Sequence, residues 1–217
     1  MEFVKILRQD SPSVGHGAEI PASWREVSPG FAILMQHYSG CSFGVGVYRI
    51  HPAAELVKWT DLAAAMFPDY AGRMLCLSSD WLGRQFALDA QRTRHNECLM
   101  LMLDPGAGEV LEVSATLTEF HDSEIIEHSD AVLVANAFRD WLSRGHAAPG
   151  PSQCVGYKAP LFLNGADGFE NMELIDMAVY WDIHGQIWTE VKNLPEGTPI
   201  GRIDIAGQDD KSEIGHS

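Results

Sequence analysis

Three groups of residues in this 217-residue sequence have types and spacings that could do chemistry. The first is His121-Asp122-Ser123-Glu124-Ile125-Ile126-Glu127-His128, whose imidazoles and carboxylates are metal-ligand types. On a helix, His121 and His128 would stand about 10.5 Å apart along the axis, beyond the reach of one zinc ion with bonds of about 2 Å. Glu124 and His128 share a helix face, so a metal-dependent hydrolase built on His121, Glu124 and His128 needs a further ligand from elsewhere. The expectation is a polar, solvated helix face with no metal and no cofactor. The second group is Cys41 with His37 or His51 as base, a thiol nucleophile whose chemistry requires sulfur and imidazole within hydrogen-bond reach. Cys41, Cys76, Cys98 and Cys154 contain no Cys-x-x-Cys pair, so reduced, buried thiols are the expected state of all four. The third group is Trp81 and Arg84 in the turn Asp80-Trp81-Leu82-Gly83-Arg84. Trp and Arg dominate binding hot spots, which makes both candidate partner anchors; the competing expectation is an indole folded back onto the core. Phosphate-cradling Gly-x-x-x-x-Gly-Lys-Ser/Thr, dinucleotide-binding Gly-x-Gly-x-x-Gly and the Gly-x-Ser-x-Gly elbow are all absent from the sequence.

Charge narrows the class further. The formal net charge is -15, and residues 1–94 contribute none of it, since nine basic and nine acidic residues cancel there. Between His95 and Phe138 there is no Lys or Arg, against the acids Glu97, Asp104, Glu109, Glu112, Glu119, Asp122, Glu124, Glu127 and Asp130. A second stretch without basic residues, 159–191, carries Asp167, Glu170, Glu173, Asp176, Asp182 and Glu190. Such a surface repels nucleic acid and anionic membranes and attracts basic partners, most strongly at low salt. Asp104, Glu109, Glu119, Asp122, Glu124 and Glu127 therefore join Trp81 and Arg84 as the expected partner-binding set. No apolar run approaches the roughly 20 residues of a membrane span. The start of the chain, Met1-Glu2-Phe3-Val4-Lys5, lacks the apolar core of a signal peptide, so the expected location is the cytoplasm.

The elements that must position these residues follow from periodicity. Residues 1–20 read as an N-terminal arm, 21–206 as one α+β domain and 207–217 as a disordered tail. Pro21 to Trp24 could open a helix that Ser28-Pro29-Gly30 interrupts and residues 31–35 resume. Alternation predicts a strand over 42–50, and helical spacing of Leu56, Trp59, Ala63 and Phe67 predicts a helix over 53–67 that Pro68 closes. Apolar stretches at 74–77, 85–88, 97–103 and 110–113, joined by short turns at 80–83 and 104–108, predict an antiparallel meander. Helices are expected over 116–128 and 130–144, the latter with Ser129 as N-cap and Gly145 as stop. A strand over 157–163, a turn at 164–168, a helix over 176–191 and a short strand over 200–205 complete the expectation.

Several segments taken together resemble a known group. Asp80-Trp81-Leu82-Gly83-Arg84-Gln85-Phe86-Ala87-Leu88-Asp89 is similar to the turn-and-strand signature of bacterial immunity proteins of the SUKH type. The continuation resembles more closely the C-terminal domain of immunity proteins paired with type VI secretion DNase effectors, within the SUKH/GAD-related group. The stretches that carry this likeness are 102–109, 160–167, 171–174 through 179–181, Gly185-Gln186, and 194–201. The resemblance spans roughly residues 25–205. It implies a central, mainly antiparallel sheet with helices packed around it, and no catalysis. It also implies a cognate secreted toxin, a nuclease, whose basic active site an acidic surface would cover. A general protein-interaction module is the other non-enzymatic expectation, because a fold does not fix a function.

Overall fold

The computed structural model describes residues 1–11, 24, 28–195 and 198–199. The strand expected at 200–205 and the tail from Gly207 lie outside the described residues, as does most of 21–27. Helices α1 (Pro29–Tyr38) and α2 (Leu56–Met66) flank strands β1 (Ser42–Phe43) and β2 (Tyr48–Ile50). Strands β3 (Met74–Asp80), β4 (Gln85–Arg94), β5 (Glu97–Asp104) and β6 (Glu109–Thr116) follow. Next come α3 (Leu117–Glu119), a π-helical turn at Phe120–Glu124, α4 (Ile125–Glu127), α5 (Ser129–Leu133) and α6 (Ala135–Ser143). Strands β7 (Gln153–Tyr157) and β8 (Met172–Asp176) and helix α7 (Met177–Val191) end the described fold.

The class is α+β. β1 to β6 form one six-stranded antiparallel sheet in chain order, and β7 pairs with β8 separately. Alternation along the strands feeds two cores. Leu75, Leu77, Phe86, Leu88, Cys98 and Met100 face one side, where Phe31 and Leu34 of α1, Phe120 and Trp141 cover them. Met74, Cys76, Ala87, Leu101 and Leu103 face the other, under Trp59 and Ala63 of α2 and Met177, Tyr180 and Trp181 of α7. Each fully buried Phe or Leu contributes roughly 1.5–3 kcal/mol relative to exposure, so the sheet is held from both faces. β6 is an edge strand; it exposes Glu109, Leu111, Glu112 and Ser114, and its register with β5 slips between Leu99 and Leu101. Charge and a bulge are the usual guards of such an edge. Among the described residues, no helix is long and apolar enough to cross a membrane.

Several expected elements are corrected. The start of the expected N-terminal arm belongs to the core: Phe3 is fully buried, its ring 4.9 Å from Phe43 and 5.7 Å from Tyr38. Pro29 and Gly30, expected in the break, already belong to α1: Ser28 is extended at the N-cap position and Pro29 is the first helical residue, where a missing amide costs no helical bond. Residues 42–50 form two short strands, since Gly44, Val45 and Gly46 all take positive φ and turn the chain. The 116–128 helix opens on a Thr116–Glu119 capping box but widens into a π turn. Ser129 makes no N-cap bond, and Val134 at φ 50° splits the expected 130–144 helix in two. The strand expected at 157–163 ends at Tyr157, and Pro160 precedes a short 3-10 turn; its partner, β8, has no counterpart among the expected elements.

Candidate functional site

The turns at one end of the sheet are built around carboxylates. Asp80, fully buried, accepts the amides of Leu82 and Arg84 at Oδ1, both at 3.0 Å, and Arg84 Nε at Oδ2, at 2.7 Å. Gly83 completes this turn at φ 77°; a Cβ there would meet Cys154 Sγ at 2.8 Å, so only glycine fits. Trp181 Nε1 donates to Gly83 O at 2.8 Å, pinning the turn to α7. Arg84 is only 6% exposed, and its Nη2 lies 2.5 Å from Asp80 Oδ2 while donating to Val132 O at 2.8 Å. Burial by itself works against the cation, but the adjacent Asp80 carboxylate more than offsets it and holds the Arg84 pKa above its ordinary value. Among the described residues, Arg84 Nη1 makes no hydrogen bond, and it is not one of the buried atoms without a partner.

The neighbouring β5–β6 turn repeats the device. Asp104 Oδ1 accepts the amides of Gly106 and Ala107 at 2.8 and 3.0 Å, an Asx turn that leaves Oδ2 without a hydrogen bond among the described residues. Leu161 N donates to Gly106 O at 2.9 Å, which ties the 158–170 loop to this turn. In that loop, Asp167 Oδ1 accepts the Tyr157 hydroxyl at 2.7 Å. Burial, followed by this bond to a carboxylate, pushes the Tyr157 phenol well above its ordinary pKa, so it stays a neutral donor. Phe169 lies under the guanidinium of Arg144, whose carbon is 5.0 Å from the ring centroid.

These parts enclose a cleft of about 610 Å³. Its polar lining is Arg84, Asp104, Asp167, Glu170 and Arg144, and its apolar walls include Val134, Phe169 and Met172. Because Asp80 already neutralises Arg84, the carboxylates of Asp104, Asp167 and Glu170 face one unneutralised cation, Arg144. The cleft is acidic.

Of the expected partner-binding residues, the structure brings Trp81, Arg84 and Asp104 to this cleft and leaves the others elsewhere. Trp81 is placed as core and not as a presented anchor. Its side chain is fully buried, 5.2 Å from the Phe138 ring, with Nε1 donating to Leu133 O at 2.9 Å. Glu109 is exposed across from Asp104 in the β5–β6 register. Glu119 stands at the opposite end of that strand pair. The Thr116 amide and the Arg94 guanidinium hold its carboxyl below the usual range. Asp122 accepts the Glu2 amide, Glu124 is half-buried and Glu127 is exposed. The acids are thus divided over the surface and do not form one face. Asp167, Glu170, Arg144 and Phe169 were missed as cleft residues; the charge pattern flagged the two acids, but only the fold of the 158–170 loop brings them beside Asp104.

The His121, Glu124 and His128 arrangement does not assemble among the described residues. His121 is fully buried: Nδ1 meets Leu117 O at 2.8 Å and Nε2 meets the Tyr48 hydroxyl at 2.9 Å, so neither nitrogen is turned toward Glu124 or His128. Among the described residues, no group of three or more His, Cys, Asp or Glu could hold a metal ion. Cys41 is 1% exposed, and His51 Nε2 is engaged by Gln85 Oε1 at 2.6 Å.

No protein family matches the chain by sequence, and no curated protein matches it either. A similar solved structure is the crystal structure of Atu4351 from Agrobacterium tumefaciens. It is 14% identical, the match covers 84% of this chain and 86% of that one, and the TM-score is 0.59. At that identity the likeness shows the fold.

Proposed function

We propose that this chain is a non-catalytic, cytoplasmic binding protein that neutralises a cognate secreted toxin, a nuclease, by covering its basic active site with an acidic surface. The observation that carries the reading is the cleft: a rigid, hydrogen-bonded floor around Arg84 beneath carboxylates with unused oxygens. A nuclease site receives polyphosphate and presents positive potential, so an acidic cleft is its electrostatic complement and speeds encounter. The motif order of 80–89, 102–109 and 160–181 supports the same reading through its resemblance to immunity proteins. The mode needs no cofactor and no direct contact with nucleic acid or membrane. Co-expression with the product of the adjacent gene tests it. Growth arrest by that product alone, relieved by this chain, is the expected result; a harmless neighbour, or toxicity that persists beside this chain, overturns it.

A further inference from the structure

We propose that the cleft reads one arginine of an extended partner segment, taking a main-chain carbonyl on Arg84 Nη1 and the arginine's guanidinium among Asp104, Asp167 and Glu170. This rests on the docking reading above and gives it a chemistry. Arg84 supplies the donor for the carbonyl. More than nine-tenths of the residue is buried, Asp80 and Val132 O occupy Nε and Nη2, and Nη1 has no hydrogen-bond partner among the described residues, while Arg84 lines the cleft. A neutral carbonyl suits it better than an anion, because Asp80 already balances the charge.

The cationic half follows from the unused carboxylate oxygens. Asp104 and Asp167 each spend Oδ1 inside the chain, on the turn amides and on the Tyr157 hydroxyl, and among the described residues neither Oδ2 takes a hydrogen bond. Glu170 makes no hydrogen bond through its side chain among the described residues. Arginine is favoured over lysine by the aromatic wall. The chain's own Arg144 shows that the Phe169 face accepts a guanidinium, and a planar fork can stack on a ring while pairing with carboxylates. Arg144 lies on an exposed segment and has no carboxylate partner within ion-pair distance among the described residues, so it can yield that face to an incoming arginine.

The test is a titration of the full chain with N-acetyl-arginine amide, followed by two-dimensional amide NMR, beside N-acetyl-citrulline amide, which has the same shape without the charge. The expected result is saturable shifts confined to residues 80–84, 104–108, 157 and 166–170. A fragment of this size should bind with a dissociation constant of about 1 mM, and citrulline about tenfold more weakly. Asp167→Asn keeps an acceptor for Tyr157 while removing charge, so it should weaken the arginine compound about fivefold and leave citrulline unchanged. Arg144→Ala should strengthen arginine binding by clearing Phe169. Equal binding of the two compounds, shifts centred elsewhere, or no saturation would each overturn the proposal. The titration needs no toxin, so the two readings fail separately: rescue in co-expression without arginine binding leaves docking intact and removes this chemistry. Arginine binding without rescue keeps the site and removes the toxin.

Discussion

Lowering the pH from 7 to 5 should unfold this protein, or nearly so, before most of its carboxylates titrate. His51, His121 and His184 are buried, and burial is the main cause that brings each of their pKa values down from 6.5 to about 4. Their surroundings suit the neutral ring. His121 lies between a carbonyl and a hydroxyl, His51 is stacked 4.9 Å from Trp59 with Arg49 and Lys58 opposing its charge, and His184 is 4.1 Å from the Tyr180 ring. A depressed folded-state pKa means that the unfolded chain binds more protons between pH 4 and 6.5. Stability therefore rises with pH across that window and is lost as pH falls through it. At pH 5, a group moved from 6.5 to 4 withdraws about 2 kcal/mol, and three such groups about 6 kcal/mol. That is comparable with the whole stability of a typical domain, about 5–15 kcal/mol. Urea unfolding followed by tryptophan fluorescence at constant ionic strength measures it. The midpoint should be flat above about pH 7 and fall steeply below 6.5. His121→Gln, which can still donate to Leu117 O and accept from Tyr48, should remove about a third of that slope. A midpoint at pH 5 equal to that at pH 7.5 would refute the assignment of buried neutral imidazoles.

Other expected outcomes concern the cleft floor and its approach. Trp81→Ala should cost about 3–5 kcal/mol in urea melts, as expected for an emptied core site, whereas Trp81→Phe should cost about 1–2 kcal/mol for the donor lost to Leu133 O. Asp80→Ala strands the buried Arg84 cation and should cost about 3–5 kcal/mol; the double change with Arg84→Met should recover a large part of that in the same assay. Arg94→Ala, which breaks a half-exposed pair with Glu119, should cost less than about 1 kcal/mol. With a basic partner in hand, stopped-flow association should slow about tenfold between 50 and 500 mM salt, with dissociation little changed.

The meander was legible because its strands are short apolar runs and its turns carry Asp, Gly and Pro at the demanded places. The helix over 176–191 was legible by its length, and the structure adds its cap: Asp176 Oδ1 accepts the amides of Ala178 and Val179 at 2.9 and 3.1 Å. What periodicity could not carry was tertiary. Val134 takes a left-handed conformation that no β-branched residue advertises, and only the packing of Leu133 and Phe138 on the sheet accounts for it. β8, Met172-Glu173-Leu174-Ile175-Asp176, is too short to stand out without β7 beside it. Trp81 illustrates the limit at the site: its type fits an anchor and a core residue equally, and the decision belongs to Leu133 and Phe138, more than 50 positions away. Asp104 and Asp167 likewise carry no sequence mark of being neighbours.

The order of the six strands has a bearing on how the molecule comes into being. Every pairing in the large sheet joins strands that follow one another in the chain, so β3 to β6 can zip up hairpin by hairpin with little loop-closure cost, while β2 reaches β3 across α2. The cleft has no such shortcut. The Asp80–Arg84 turn waits for Val155, whose amide bonds Trp81 O at 2.7 Å, and for Trp181 to seal Gly83 from above. A nascent chain would thus acquire its scaffold early and its cleft only after the segment through α7 has left the ribosome. Until then the protein would be a shelf without a drawer.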